Sequence, residues 1–568
     1  MIVRGKPGRA TDAPYGAYLT EPDTHQRSSV GALRERTTAI VVGAGHNGLV
    51  CACYLARAGL DVVVLEQSDK PGGGSRTDET VPGYRFDTHS VAHNIINMTS
   101  IPTELDLGGA GLEYREMDPF AVALFADGRR VRFHRSVERT VESIAELDPV
   151  EADAYRRFIG DAMPLIGAAT LGLEVGRFDR RALAGAVARR LPALARAVPR
   201  ALRLNALLLG AYGRLLEDRL SSETTRGPIS AFAAHAGAGP DAAGGAFFAL
   251  WQAAYHRYGQ WHAVGGAQGL VAALVRRLAT LGGELRCDAR VVRIDAAGGS
   301  AAGVVLESGE RIAADLVVTA CQPQRALLDL LDPPLGGRPG AELRAVQVGN
   351  AVQALVHVAV DRLPPYAGAR PGDWNGLQSY VDALDDVRAS FRAAEDRRLR
   401  RPAAAYAFTT SALDDTLAPA GHHTVYLACP AAPFELDGGW EQAAAELADD
   451  LLDQVEARAP GFRASIRGMA IRTPPEMAIE LDWPGAHPMH VDIGLDQLGP
   501  WRPTRALASH RAQVSGLYVT GAGTSPVGGI AGAPGRAAAR AVLEDLRRPG
   551  TRAGTPGRRA RCGRARSA

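Results

Sequence analysis

The sequence predicts an α/β fold in which a parallel-sheet domain, assembled from three separated segments, is interleaved with a second, α+β domain. Three observations lead to this prediction. An apolar strand, a glycine turn and a helix begin near residue 39, α/β character returns near residue 265, and a strand, a glycine turn and a helix close the chain after residue 516. At 568 residues the chain is also too long for one simple core.

The first unit has the order of a βαβ dinucleotide-binding motif. Its parts are the apolar strand 39–42, the turn Gly43-x-Gly45-x-x-Gly48, a helix over 49–58 and a second apolar strand, 62–65, that ends on Glu66. The glycines allow a tight turn, close approach of a pyrophosphate and close packing of helix on strand. The helix N-terminus offers free N–H groups to phosphates, and Glu66, 18 residues after Gly48, can accept hydrogen bonds from ribose hydroxyls. This complete order favours a Rossmann-like dinucleotide site over a merely structural glycine turn.

A second glycine-rich loop follows Glu66 directly, with the sequence Lys70-Pro71-Gly72-Gly73-Gly74-Ser75-Arg76-Thr77. A nicotinamide-dependent dehydrogenase has no need of this loop. A flavoprotein does, because FAD extends further and brings its isoalloxazine ring against such backbone. The loop therefore favours FAD as the dinucleotide.

The remaining elements follow from hydrophobic periodicity and turn residues. Residues 118–135 alternate as strands around a turn at Asp127-Gly128, and 140–250 is mostly helical and rich in Ala and Leu. The later predictions are a helix from Gly265 through Leu281, strands over 284–294, 303–307, 316–320, 354–360 and 424–428, a helix over 442–458, and a last strand, glycine turn and helix from Gly516 to about Arg547.

With these motifs in order from about residue 37 to 546, the chain resembles the phytoene desaturase-like flavoproteins. These belong to the glutathione-reductase-type FAD oxidoreductases, which include the amine oxidases. The resemblance rests on the glycine turn with Glu66, Gly72-Gly73-Gly74-Ser75-Arg76, Phe86-Asp87, Gly265-Gly266, Ala289-x-Val291-x-x-Ile294 and Gly521-Ala522-Gly523-Thr524-x-Pro526-x-Gly528-Gly529-Ile530. The last of these, the terminal block, is the most specific.

The resemblance implies a discontinuous Rossmann-like FAD-binding domain of the glutathione-reductase type, formed by residues 37–117, 260–340 and 505–546. Residues 118–259 and 341–504 would form an α+β substrate-binding domain with a mixed or antiparallel sheet and a helical cap. Residues 1–36 are predicted to be a disordered leader, and 547–568 a basic disordered tail.

The resemblance also implies which residues hold FAD. The pyrophosphate and ribose would contact Gly43, Ala44, Gly45, Asn47, Gly48 and Glu66. The ribityl chain and flavin would contact Gly73, Gly74, Ser75 and Arg76, and the adenine would contact Val291. The N1–C2=O edge of the flavin would contact Gly521, Gly523, Gly528, Gly529 and Ile530. At that edge a helix dipole can stabilise the negative charge of reduced flavin. The terminal block has no Cys or His for covalent attachment, so we expect non-covalent FAD.

Several departures from the family pattern bear on catalysis. Amine oxidases of this fold usually keep a lysine near flavin N5, whereas this chain has only Lys6 and Lys70. A second complete glycine motif is absent, which argues against a separate NAD(P)H domain, although NAD(P)H could bind transiently at the flavin face as hydride donor. No metal site is predicted.

His89 stands where relatives commonly have glycine, so His89 and His93 are candidates for a proton donor or acceptor. The alternative is that one or both are hydrogen-bonded structural histidines. Asp482, His487 and His490 precede the terminal block and are weaker candidates for the same cavity.

Three functions remain open at this point. The first is hydride transfer at flavin N5 on a large apolar, polyene substrate of isoprenoid or polyketide origin, with desaturation as the family default. The second is an NAD(P)H-dependent reductive cyclase of a polyene tetramate macrolactam or similar polyketide. The His89 substitution favours bacterial specialised metabolism, because a reductive cyclisation needs a proton as well as a hydride. The third is a non-catalytic prenyl or lipid escort of the same fold, which the intact glycine motifs oppose.

Composition and charge limit the kinds of partner, such as membranes and nucleic acids, that the chain is expected to bind. The net charge is +2, no window approaches the roughly 20 apolar residues of a membrane span, and the six cysteines form no C-x-x-C. These features predict a cytoplasmic protein. The stretch Arg177–Arg219 carries ten arginines. It is interpreted as a surface helical layer with solvated arginines or, in the alternative, as a face that makes a peripheral contact with anionic lipid. The tail from Arg547 has eight arginines and no acid, but no nucleic-acid-binding fold accompanies it. Oligomeric state is not predicted.

Overall fold

The computed structural model describes residues 38–175 and 209–548. The predicted leader, most of the basic stretch Arg177–Arg219 and nearly all of the predicted tail lie outside the described residues. None of the helices in the described ranges has the length and apolarity that crossing a membrane requires.

The strands occur in three main sheets. In chain order they are β1 Thr38–Val42, β2 Asp61–Leu65, β3 Thr77–Val81, β4 Tyr84–Asp87, β5 Tyr114–Glu116, β6 Ala121–Leu124, β7 Arg130–Phe133, β8 Trp261–Ala263, β9 Glu284–Arg286, β10 Val291–Ala297, β11 Ser300–Leu306, β12 Arg311–Ala313, β13 Leu316–Thr319, β14 Leu331–Asp332, β15 Ala351–Val360, β16 Leu377–Ser379, β17 Tyr406–Phe408, β18 His423–Pro433, β19 Ile466–Arg472 and β20 Leu517–Val519.

The α-helices of the described ranges cover the faces of these sheets. They are α1 His46–Arg57, α2 Ile101–Glu104, α3 Val137–Ala145, α4 Pro149–Val175, α5 Tyr212–Arg219, α6 Glu223–Ala234, α7 Ala246–Leu250, α8 Gln252–Tyr258, α9 Gln268–Thr280, α10 Gly337–Arg344, α11 Leu384–Glu395, α12 Trp440–Arg458, α13 Pro474–Leu481 and α14 Ala533–Arg547.

The first sheet is parallel and draws its strands from the start, middle and end of the chain. Its order is β20-β13-β1-β2-β9, and all four pairings are parallel. Residues 39–42 of β1 are buried, as expected of a strand covered on both faces. This register brings the glycine turn after β1 close to the chain that follows β13 and β20.

The predicted strand 284–294 is in fact two strands in different sheets. β9 joins the parallel sheet, whereas β10 belongs to a four-stranded sheet of order β12-β11-β10-β14. The chain breaks between them because the N–H of Asp288, which has a φ of +51°, donates to Ser68 O at 3.0 Å, and the Ala289 N–H donates to Glu66 O at 2.8 Å. These bonds fold the linker against the end of β2.

The third sheet has seven strands in the order β19-β15-β18-β17-β16-β6-β7. It is mixed, because β6 pairs with β16 in parallel while the other neighbours are antiparallel. Helices α3 to α8 occupy the region predicted to be helical. Their apolar side chains share one buried cluster with this sheet, including Phe120, Phe133, Tyr155 and Phe232.

Two of the motifs shared with the family form one structural unit. The buried Asp87 carboxylate accepts the Ala267 N–H at 2.7 Å, ahead of α9, and the Thr77 hydroxyl at 2.6 Å. Gly266 has a φ of +82°, and a Cβ there would lie 2.3 Å from Thr77 Oγ1. The motifs Phe86-Asp87 and Gly265-Gly266 therefore lie together in the structure, because the Asp87 carboxylate fixes the start of α9.

The terminal helix α14 packs tightly on α1. A Cβ on Gly535, in the first turn of α14, would lie 2.1 Å from Asn47 O and 3.0 Å from Cys51 N. Both atoms belong to the backbone of α1 and cannot turn away. Gly535 therefore sets the distance between the two helices that begin beside the glycine turn and the terminal block.

We predict that Gly535→Ala lowers the free energy of unfolding by roughly 1–3 kcal/mol, because the clash outweighs the gain in helix propensity. The measurement is the thermal unfolding midpoint at saturating cofactor. The control is Gly172→Ala in α4, where no heavy atom lies within 4 Å of the added Cβ. That variant should be neutral or stabilised by up to about 1 kcal/mol, so equal shifts in the two variants would contradict the packing argument.

Candidate active site

A single continuous cavity runs between the parallel sheet and the seven-stranded sheet. It encloses about 2310 Å³ not occupied by protein atoms, part of it open to solvent. One end is lined by the glycine turn, Glu66, the second glycine loop and the terminal block. The other end is lined by side chains of the seven-stranded sheet and its covering helices. Most of the residues predicted to hold the cofactor therefore face the same space as side chains of the predicted substrate-binding domain.

The glycine turn has the geometry that a pyrophosphate needs. Gly43 has a φ of +97°, and a Cβ on Gly48 would lie 2.2 Å from Gly43 O, so neither position suits a larger residue. Gly45 faces open space and precedes α1 without any side-chain cap. The first N–H groups of α1 are therefore free to bind an anion. Asn47 also lines the cavity, and its buried Oδ1 has no partner among the described residues.

Glu66 joins the turn to the neighbouring segments. Its buried side chain lines the cavity, and its carboxylate accepts the Ala44 N–H at 2.8 Å and the Ser68 N–H at 3.1 Å. The carboxylate thus supports the glycine turn and is also a candidate acceptor for ribose hydroxyls. Val291 lines the same end of the cavity.

The second glycine loop lies directly beside the first turn. The Gly72 N–H donates to Ala44 O at 3.1 Å, and Gly73 and Gly74 line the cavity. Ser75 and Arg76 do not line it. The Ser75 hydroxyl lies 3.4 Å from His46 Nδ1, and the Arg76 guanidinium pairs with Asp78 at 3.1 Å.

The terminal block closes the cavity from the opposite side, with Gly521, Gly529 and Ile530 among the lining residues. Gly523 and Gly528 do not line it, and neither does Ala44 of the first turn. His46, which the sequence did not single out, connects the two sides. Its Nε2–H donates to Gly529 O at 3.0 Å, and burial lowers the pKa of this imidazole to about 4.

The two histidines predicted as catalytic differ in position. His89 lines the cavity, its buried Nε2 has no partner among the described residues, and the Tyr426 hydroxyl donates to its carbonyl at 3.0 Å. Burial, with the nearby Arg472 cation as a further cause, holds the pKa of His89 well below 6.5. His93 does not line the cavity. Its Nδ1 lies 2.9 Å from the Tyr114 hydroxyl, as in a structural histidine, and burial lowers its pKa to about 3.

The segment before the terminal block holds three residues that the sequence predicted for this cavity, and two of them line it. Asp482 and His490 line the cavity, whereas His487 does not. The Asp482 carboxylate accepts from Arg325 at 3.1 Å and from Arg290 at 3.3 Å.

His490 has a φ of +66° and a buried, unpaired Nδ1, and burial lowers its pKa to about 3. The indole of Trp483 contacts the rings of both His89 and His490, with centroid distances of 5.5 and 5.3 Å.

The far end of the cavity is an aromatic compartment that sequence reasoning did not assign. Its rings come from α6, α7, α8 and the residue between α7 and α8, and from β17, which is far from these helices in sequence. We define it by Phe232, Phe247, Phe248, Trp251, Tyr255, Tyr406 and Phe408. Two local signals were available in the sequence: the aromatic alternation Tyr406-x-Phe408, and the helical spacing of Phe247, Phe248, Trp251 and Tyr255.

Lys70 is the lysine that falls within the described residues. Lys70 lies outside the cavity lining, where its ammonium donates to Thr77 O at 3.2 Å and pairs with Asp78. Among the described residues no lysine or arginine lines the cavity.

Comparisons with known proteins identify the family to which the chain belongs. The model of the family described as flavin containing amine oxidoreductase matches residues 48–543. The mouse pyridine nucleotide-disulfide oxidoreductase domain-containing protein 2 is 31% identical over 92% of this chain and 96% of its own length. A lycopene-forming phytoene desaturase of Paracoccus sp. is 26% identical over 90% of this chain and 98% of its own.

Among solved structures, wild-type putrescine oxidase bound to putrescine has a TM-score of 0.55 at 16% identity, covering 90% of this chain and 98% of its own. A fatty acid isomerase from P. acnes has a TM-score of 0.54 at 13% identity, covering 90% and 99%. These two likenesses concern the fold alone. The matches confirm the predicted α/β flavoenzyme fold and FAD as the cofactor.

We predict that Glu66→Gln weakens FAD binding by roughly tenfold or more, because a charged acceptor buried beside the glycine turn is lost. The measurement is the Kd of FAD from the fluorescence of released flavin. Glu310→Gln is the control, since that exposed carboxylate pairs with Arg286 outside the cavity. An unchanged Kd in Glu66→Gln would exclude Glu66 from FAD binding.

Proposed function

The chain belongs to the flavin containing amine oxidoreductase family and is a phytoene desaturase-like, FAD-dependent oxidoreductase, and from this premise we propose that it dehydrogenates a large apolar substrate of the polyene type. The observation that carries the proposal is the aromatic compartment, which is continuous with the FAD end of the cavity. When bound, FAD supplies a hydride acceptor or donor at N5. Membership of an enzyme family leaves the escort alternative without support.

The charge of the cavity favours an apolar substrate over an amine. Two carboxylates line the cavity among the described residues. Glu66 is at the glycine turn, and Asp482 is already paired with Arg290 and Arg325. Neither is available to neutralise a substrate ammonium in the aromatic compartment, and burying an unpaired charge there would be costly. A long carbon chain, in contrast, gains from contact with every ring.

The state of His89 favours dehydrogenation over reductive cyclisation. Dehydrogenation releases a proton together with the hydride, whereas reductive cyclisation consumes a proton. Burial lowers the pKa of His89 and so favours its neutral form, and Nε2 of this imidazole has no partner among the described residues, so it can accept the proton that dehydrogenation releases. The reductive cyclase, and with it a role in bacterial specialised metabolism, therefore stays the second candidate.

We predict that His89→Ala lowers kcat by roughly 10²–10⁴-fold without loss of bound FAD. If His89 is the base, wild-type activity falls on the acid side as the imidazole becomes protonated. Since the pKa of His89 is lowered, this acid limb lies well below pH 6.5, and it disappears in the variant. The pH–rate profiles of both proteins provide the measurement. His93→Ala, outside the cavity, is the comparison, and an acid limb that survives in His89→Ala would reject the role.

Anaerobic stopped flow tests the direction of hydride flow. With the FAD-loaded protein we expect no flavin reduction by NADH or NADPH alone, and rapid reoxidation of the chemically reduced protein by oxygen or a quinone. Rapid reduction by NAD(P)H without substrate would support the reductase or cyclase and overturn the desaturase proposal.

A further inference from the structure

Three side chains in and beside the aromatic compartment carry hydrogen-bonding groups without partners. On this basis, and resting on the proposed function, we propose that the apolar substrate carries an uncharged oxygen function, a hydroxyl group, that is bound by Tyr255, Gln260 and Tyr406. The substrate would then be an oxygenated polyene, not a pure hydrocarbon.

Gln260 lies at the end of α8 with 3% of its surface exposed. Its backbone carbonyl accepts the Met117 N–H at 2.8 Å. Its side chain lines the cavity, and the buried Oε1 has no partner among the described residues. This atom can only accept a hydrogen bond, so it calls for a donor on the ligand.

Tyr255 and Tyr406 are similarly buried, with exposures of 5% and 3%, and both line the cavity. Their rings pack in the aromatic core, with Tyr255 5.3 Å from Phe232 and Tyr406 6.0 Å from Phe408. Neither hydroxyl forms a hydrogen bond within the described part of the chain. Burial raises the pKa of both phenols, so both hydroxyls stay protonated and can donate.

Several polar groups close to the aromatic compartment do have partners, so the three unpaired side chains are not a sign of generally loose packing there. The Trp251 indole N–H donates to Asn94 Oδ1 at 2.9 Å, and the Asn94 amide donates to Gly259 O. Tyr426 donates to His89 O at 3.0 Å. The other unpaired groups that line the cavity lie outside the aromatic compartment: Asn47 Oδ1 is in the glycine turn, and the rings of His89 and His490, each with an unpaired nitrogen, both contact Trp483, whose indole nitrogen is also unpaired.

The chemistry of these three groups selects the ligand class. A hydroxyl accepts from a tyrosine O–H and donates to an amide oxygen, so it satisfies both kinds of orphan. A carboxylate cannot donate, and no cation among the described lining residues would balance its charge. A hydrocarbon would leave all three groups buried and unpaired, and sites of this kind reject an analogue that lacks the polar group.

Equilibrium dialysis of the oxidised holoenzyme tests the proposal with two probes, geranylgeraniol and the C20 hydrocarbon that lacks only its hydroxyl. We expect wild type to bind the alcohol roughly tenfold more tightly than the hydrocarbon. In Tyr255→Phe, Gln260→Leu and Tyr406→Phe this ratio should fall toward one. Phe408→Leu is the matched control, which should weaken both probes alike and keep the ratio. FAD content and the unfolding midpoint establish that each variant is folded.

Each other outcome overturns a distinct statement. Equal affinities in wild type would overturn the hydroxyl site and leave the apolar-substrate proposal standing. A ratio that persists in all three variants would overturn the assignment of these residues. Binding of neither probe would overturn the apolar-substrate proposal, and the hydroxyl site with it.

Discussion

Glu66 ends β2 with its carboxylate buried and bound to backbone N–H groups on two sides, at Ala44 and at Ser68. Its backbone is held as well, because its N–H donates to Arg286 O and its carbonyl accepts from Ala289, each at or below 2.9 Å. One residue therefore links the glycine turn to β9 and to the β9–β10 linker. The shape of the cofactor end of the cavity depends on these four hydrogen bonds.

The other parts of the cofactor end are held together by glycines at which two segments of backbone come close to each other. Gly48 lets α1 start against the turn, Gly72 lets the second loop bond to Ala44, and Gly535 lets α14 lie against α1. His46 then bonds to Gly529 O and connects the start of α1 to the terminal block. Because the contacts at the glycines involve closely approaching backbone, they tolerate changes elsewhere in the chain but few changes at the glycines.

This distinction explains which parts of the site the sequence could predict. The glycine turn, Glu66 and the terminal block were predictable because each uses a residue type that few alternatives can replace. The break at Asp288 was not, since it depends on hydrogen bonds to Ser68 and Glu66 that only the folded sheet creates. His89 and His93 look equivalent in sequence, and only the packing of His93 on Tyr114 separates them. The aromatic compartment was hidden because its rings meet only after α6 to α8 have packed on β17.

The cavity performs its chemistry with few charged side chains. Burial lowers the pKa of His46 to about 4 and that of His490 to about 3, so both imidazoles are neutral at pH 7. Stabilisation of charge on the cofactor then depends on helix dipoles and backbone N–H groups, as expected for a site without the lysine common in amine oxidases.

Arg502 adds a fixed cation behind this backbone. Its buried guanidinium donates to the carbonyl oxygens of Ala522 and Gln497, each at 3.0 Å, and to that of Met489. It thereby ties the loop that carries His490 to the terminal block. Because its donors are saturated by carbonyl groups, Arg502 can hold this geometry without entering the cavity, which stays free of cations among the described lining residues and suited to an uncharged substrate.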